Sequence, residues 1–172
     1  NYKWMLGPYT TGFLYVSSRY LEGTPLEEGW IQRKDSKDFA NLVNYQDCYE
    51  DGAIRYDMGQ RSNFALIPGV VAALKQIKKW GIKNIESTLY HQSISVSEKL
   101  KKLGLTVSEP KNRGPHFIGA KLPKGAPENI LEALSIKKIY LSERGGSLRI
   151  TPHLWNNNND FDRLETVLSK LL

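Results

Sequence analysis

Residues 18–62 scatter aromatic side chains without any hydrophobic period, and this stretch limits the possible folds more than any other feature. Tyr20, Trp30, Phe39, Tyr45, Tyr49 and Tyr56 fall at irregular intervals, with several glycines between them. A period of two marks a half-buried strand and a period near 3.6 marks an amphipathic helix; neither is present. So long a patternless stretch is uncommon inside a self-sufficient domain and usually lines a site or an interface. Ahead of it, Gly12-Phe13-Leu14-Tyr15-Val16-Ser17 reads as a short buried strand, entered through a turn at Gly7-Pro8. Residues 1–62 therefore supply one strand and a long connector, like a piece of a larger sheet. The chain opens on Asn1 with no initiator Met, signal peptide or tag, so its start reads as the middle of a longer protein.

From Ser62 onward the helical signals are strong. Ile67, Val70, Val71, Leu74 and Ile77 recur at helical spacing, Pro68 falls in the first turn, and Gly81 is placed to stop the helix. A second helix carries Ile82, Ile85, Leu89, Val96, Leu100 and Leu103 on one face and ends at Gly104. Strands are expected at 105–108 and 116–121. Pro127 opens a short helix with Ile130, Leu131 and Leu134. Strands at 138–143 and 147–151 are joined through Gly145-Gly146, a hairpin signal. Asn158 or Asn159 caps a last helix bearing Phe161, Leu164, Leu168 and Leu171. The expected organisation is a strand-and-connector segment over 1–62, a linking helix over 63–81, and a small α+β unit over 82–172.

Composition removes several classes. The 172 residues suffice for a real core, and 40% hydrophobic with 24% charged residues argues against global disorder. No apolar run approaches a bilayer span. Cys48 is the single cysteine, which excludes an internal disulfide and suits a reducing, cytoplasmic setting. Three histidines and one cysteine without close spacing leave no zinc site. The net charge of +6 suits acidic partners or a phosphate-bearing ligand. The lysines are dispersed in pairs, such as Lys78-Lys79 and Lys101-Lys102, and no nucleic-acid motif accompanies them, so nucleic acid is disfavoured as a partner.

Three places carry chemistry. Lys3 precedes the Gly7-Pro8 turn; a lysine held there at a sheet edge can be desolvated, which frees its amine as a nucleophile. Most lysines are simply solvated, so the residue type alone decides nothing. Arg149 stands in the apolar strand Ser147-Leu148-Arg149-Ile150-Thr151 and must find a partner, either a structural carboxylate or a ligand's. Gly59-Gln60-Arg61-Ser62 lies ahead of a helix, where backbone N–H groups, a hydroxyl and a guanidinium could cradle a phosphate or form an ordinary cap. His153 reads as a packed histidine rather than a catalyst.

Together these places resemble a family. Tyr2-Lys3-Trp4-Met5-Leu6-Gly7-Pro8-Tyr9-Thr10-Thr11-Gly12-Phe13-Leu14-Tyr15-Val16 is similar to the cofactor-lysine segment of class V aminotransferases, pyridoxal-phosphate (PLP) enzymes of the aspartate-aminotransferase fold. Leu148-Arg149-Ile150-Thr151-Pro152-His153-Leu154-Trp155-Asn156, followed by Asp160, resembles that family's carboxylate-binding strand and the helix after it. The resemblance covers essentially the whole chain. It implies an α/β fold: the end of the large PLP-binding domain over 1–62 and a small α+β domain with a short antiparallel sheet. It also implies that Lys3 forms the internal aldimine with PLP and that Arg149 binds the α-carboxylate of an amino-acid substrate. Arg61 or Ser62 would touch the phosphate of a PLP in the partner subunit of a homodimer. There the family's usual threonine is absent and Gln60-Arg61-Ser62 stands in its place.

The departures shape the functional expectation. In the family much of the large domain precedes the lysine, with the aspartate facing the pyridine nitrogen, the ring stacked on the cofactor and most phosphate contacts. The expectation is a C-terminal part of a PLP-dependent aminotransferase-like enzyme, inactive without its N-terminal portion. Cysteine desulfurases of the superfamily use a cysteine shortly before the arginine strand; here that stretch is Ser142-Glu143-Arg144-Gly145-Gly146-Ser147, so a persulfide mechanism is disfavoured. Lyase and epimerase chemistry stay open, as does a non-catalytic binding or assembly module.

Overall fold

A computed structural model describes all of residues 1–172. The chain divides into two compact units, Asn1–Lys79 and Trp80–Leu172.

The second unit has the expected α+β form. Helix α2 (Ile82–Lys102) buries Ile85, Leu89, Ser93, Val96 and Leu100, the three- and four-residue spacing of one helical face. It begins after Gly81, whose φ of +82° only glycine adopts without strain. It ends in a Schellman turn: Gly104 N–H donates to the Lys101 carbonyl at 3.0 Å and Leu105 N–H to the Leu100 carbonyl at 3.1 Å. The buried pair Leu100 and Leu105 closes that turn. Strands β1 (Thr106–Val107), β2 (Ile118–Lys121), β3 (Ser142–Arg144) and β4 (Ser147–Ile150) form an antiparallel sheet in the order β1-β2-β4-β3. Gly145 and Gly146 both have positive φ, the type I′ geometry that matches a two-residue hairpin to the twist of its strands.

One face of the sheet makes the core. Val107, Ile118, Ala120, Leu148 and Ile150 pack with Val96 and Leu100 of α2, with Ile130 and Leu134 of α3 (Ile130–Ile136), and with Phe161, Leu164 and Leu168 of α4 (Asn158–Leu168). Side chains alternate along a strand, so Gly119, Lys121, Ser147 and Arg149 face the other way. Helix α4 is capped by Asn157, one residue before the expected Asn158 or Asn159. The Asn157 side chain accepts from Asn159 N–H at 2.9 Å, and Asp160 accepts from Asn157 N–H at 3.0 Å.

The first unit corrects one expectation. Residues 12–17 form no strand. A strand exists only through a ladder of hydrogen bonds to a neighbour, and no other segment of the chain pairs with this one. Phe13, Leu14 and Tyr15, expected in a buried strand, are 65–88% exposed. The connector folds into four short 3₁₀ turns, Ser18–Tyr20, Trp30–Gln32, Phe39–Asn41 and Gly52–Tyr56. Polar bonds hold them. Arg55, buried, donates from Nε to the Glu50 carbonyl at 3.0 Å and from a terminal nitrogen to Gly23 at 3.2 Å. Gln32 donates to the Asp57 carbonyl at 2.6 Å, and Arg33 lies over the Tyr49 ring. Helix α1 (Ile67–Trp80) follows, five residues later than Ser62. The intervening turn is fixed by Asn63, whose side chain accepts from Leu66 N–H at 3.0 Å and whose carbonyl accepts from Ile67 N–H.

Candidate functional site

The register of the hairpin builds the site. Arg149 lies opposite Gly119 of β2 and Ser142 of β3. Glycine at 119 leaves the space over the arginine uncovered; a Cβ there would meet no atom within 4 Å. A cavity of about 210 Å³ results, lined by Phe117, Gly119, Arg144, Ser147, Leu148 and Arg149. The Arg149 guanidinium stands 5.1 Å from the centre of the Phe117 ring, a cation–π contact that holds its plane. It makes no salt bridge: the ion pairs of the chain are Arg33–Glu28, Arg61–Asp57, Lys99–Asp162, Lys99–Glu165 and Lys101–Glu109. Its Nε is buried and has no acceptor. A buried donor left unsatisfied costs about 1–3 kcal/mol, and more when charged. A structural carboxylate partner, one of the two readings open to this residue, is therefore absent, and an acceptor from a ligand would complete it.

His153, three residues past β4, is fixed by local bonds. Its ring stacks on Trp155 at 3.9 Å and its Nδ1 accepts from Leu154 N–H at 2.8 Å. Burial lowers its pKa. These contacts agree with a packed histidine.

In the first unit, Lys3 sits on a turn closed by Leu6 N–H to the Lys3 carbonyl at 3.1 Å and Gly7 N–H to the Asn1 carbonyl at 3.0 Å. Its ammonium lies 5.3 Å from the Tyr2 ring centre. The side chain is exposed, so the desolvation expected of it is not provided by this chain. The sheet edge proposed to hold it is missing for the reason given above. Its accessible amine fits covalent attachment of a carbonyl cofactor. Arg61 is bonded to Asp57 at 3.1 Å and to the Ile54 carbonyl at 3.4 Å, so an anion there would compete with Asp57. Ser62 is exposed and does not cap the helix; the Asn63 turn does. The phosphate cradle expected at a helix start is thus not formed by α1.

No family model matches the chain. It is 27% identical, over 98% of its length, to an uncharacterized aminotransferase of Schizosaccharomyces pombe, of which it spans 43%. Among solved structures it superposes on a cysteine desulfurase from Escherichia coli with a TM-score of 0.75 and 19% identity, covering 97% of this chain and 43% of that one. A cysteine desulfurase from Thermococcus onnurineus gives 0.72 and 17%, covering 97% and 44%. The fold is that of the C-terminal part of a fold-type I PLP-dependent enzyme. An alanine–glyoxylate aminotransferase from Nostoc shares it more loosely, with a TM-score of 0.51 over 72% of the chain. The class V resemblance read from the Lys3 and Arg149 segments agrees with these relatives. The chain spans less than half the length of the proteins it matches.

Sequence reasoning missed Phe117, Gly119 and Arg144 as parts of the site. A signal existed: a glycine inside an otherwise apolar strand marks a close approach, and pairing 116–121 with the arginine strand would have set Gly119 beside Arg149.

Proposed function

We propose that the protein to which this chain contributes is a PLP-dependent enzyme acting on an amino acid, an aminotransferase, in which Lys3 holds the cofactor and Arg149 binds the substrate α-carboxylate. The observation that carries the reading is Arg149: a guanidinium on a strand, oriented by Phe117, with no carboxylate partner in its own chain, a buried Nε without an acceptor and a cavity beside it. The planar fork suits a carboxylate bound through two parallel hydrogen bonds. Fixing the carboxylate on β4 orients the bonds at the substrate Cα, and positioning of that kind accounts for a large share of a catalysed rate. Lys3 Nζ would move the proton at Cα. PLP, when bound, supplies the electron sink for the bond that breaks.

The remaining parts of the reading follow from exposure. Phe13, Leu14 and Tyr15 need cover, which further chain of the same protein or a second subunit would supply. In a homodimer, Arg61, if released from Asp57, or the exposed Ser62 would reach the cofactor phosphate of the partner subunit. Cysteine desulfurase chemistry is disfavoured despite the shared fold, because Ser142–Arg149 carries no cysteine and Cys48 lies far upstream in the sequence. The test is spectroscopic. In the full-length protein Lys3→Ala should abolish the absorbance band of the lysine-bound cofactor. An undiminished band would overturn the assignment.

A further inference from the structure

The outer face of the sheet carries more positive charge than a single carboxylate requires. Arg144 pairs with Ser147 across the hairpin, and Arg149 pairs with Ser142. The two arginines are therefore diagonal neighbours on one face, roughly 7–8 Å apart at the backbone. Both line the same cavity. Lys121, paired with Ser147 from the other side, belongs to the same row as Arg144. No Asp or Glu of the four strands shares this face: Glu143, their single acid, pairs with Leu148 and so alternates to the opposite one. Arg144 makes no salt bridge, like Arg149. Like charges on adjacent strands repel, and here no carboxylate lies within 4.0 Å of either guanidinium.

We propose that Arg144 is a specificity residue of this site and binds a second acid group, so that the substrate is an amino acid with a carboxylate side chain. The proposal rests on the reading of Arg149 as the α-carboxylate site. Two arginine arms rooted on neighbouring strands reach one small molecule from two directions. Each can form a paired hydrogen bond with a carboxylate, and Ser147, on the strand of Arg149 and opposite Arg144, can donate a further one. A side chain that is an amide rather than an acid would leave the Arg144 charge uncompensated. The competing role for Arg144 is that of a charge on an edge strand, which discourages association of sheets and has no ligand.

The experiment uses the full-length protein loaded with PLP and reads binding, not turnover. Dissociation constants are measured for L-glutamate against L-glutamine and for L-aspartate against L-asparagine, pairs that differ in charge but hardly in shape. The unsubstituted protein should prefer one acid over its amide by about tenfold or more. Arg144→Ala should remove that preference while changing the amide affinities less than twofold. Arg144→Lys should keep part of it, and thermal unfolding should show the variants folded. The choice of acid, aspartate or glutamate, reads the reach between the two arginines. Equal affinity for acid and amide in the unsubstituted protein, or a preference that survives Arg144→Ala, would overturn the proposal. If Arg149→Ala weakens all four ligands while Arg144→Ala changes none, the α-carboxylate reading stands and the second-acid proposal alone falls. If Arg149→Ala weakens none, both fall.

Discussion

The guanidinium of Arg149 rests on the ring of Phe117, 5.1 Å from its centre, and meets no carboxylate of its own chain. The contact has a consequence for binding. An aromatic face holds the fork in one plane and stabilises the cation without occupying its hydrogen-bond donors. In the full-length protein, Arg149→Ala should weaken amino-acid binding by about 2–5 kcal/mol, the usual loss when one member of a desolvated charge pair is removed. Phe117→Leu keeps the apolar bulk but loses the ring, and should weaken binding by about 0.5–2 kcal/mol. Titration calorimetry with one amino acid measures both. An affinity unchanged by Arg149→Ala would remove its proposed role.

Gly119 allows a sharper separation of stability from binding. It lies in β2, an interior strand, and a Cβ there would contact nothing. Valine favours strands over glycine, so Gly119→Val should leave thermal stability unchanged or slightly raised. The same side chain would stand over Arg149 and narrow the cavity. Amino-acid affinity should fall about tenfold, or roughly 1.4 kcal/mol. Paired melting and binding measurements test this. A stable variant with undiminished affinity would show that the ligand approaches from elsewhere.

What could be read from the sequence, and what could not, follows from how far each signal reaches. Helix α2 was legible because its stripe, Ile85 to Leu100, and its stop at Gly104 are local. The hairpin at Gly145-Gly146 was legible because a type I′ turn needs positive φ at both positions. The strand expected over 12–17 was not realised because a strand needs a neighbour. Its composition says that it would be buried in a sheet, not that the sheet lies within this chain. Arg149 was singled out by its place in an apolar strand, but the cavity beside it depends on a register with Gly119 that strand composition does not encode. The linking helix was extended too early, because Asn63 offers its side chain to the backbone and sets a turn before α1 begins. Lys3 was singled out through its neighbours in sequence, and its exposure was not legible because burial depends on segments distant in sequence.

The start of α4 is a capping box, and its two hydrogen bonds are reciprocal. Asn157 satisfies the N–H of Asn159, and Asp160 satisfies the N–H of Asn157. Asn157→Ala should cost about 1 kcal/mol, because the orphan donors of the first turn lose their acceptor. For a protein of this size that is a fall of about 2–4 °C in melting temperature. Asn158→Ala removes no cap and should change little. A larger effect at 158 than at 157 would show that the helix begins one residue later.

His153 should make stability depend on pH, and the direction can be worked out. Burial favours its neutral ring and holds the folded-state pKa below the ordinary histidine value. The neutral Nδ1 also accepts from Leu154 N–H, a bond that protonation of that nitrogen would remove. The unfolded chain therefore binds more protons than the folded one once the pH falls below about 6.5, the unfolded pKa. Where the unfolded state binds more protons, stability rises with pH. The contribution of His153 is thus fully present above about pH 6.5 and is lost as the pH falls from there toward and through the lowered folded-state value. Urea unfolding at pH 7.5 and at pH 5.5 gives the loss for the native chain. His153→Gln cannot charge, so its loss over the same interval should be smaller. An equal loss in both proteins would mean that His153 has the same pKa folded and unfolded.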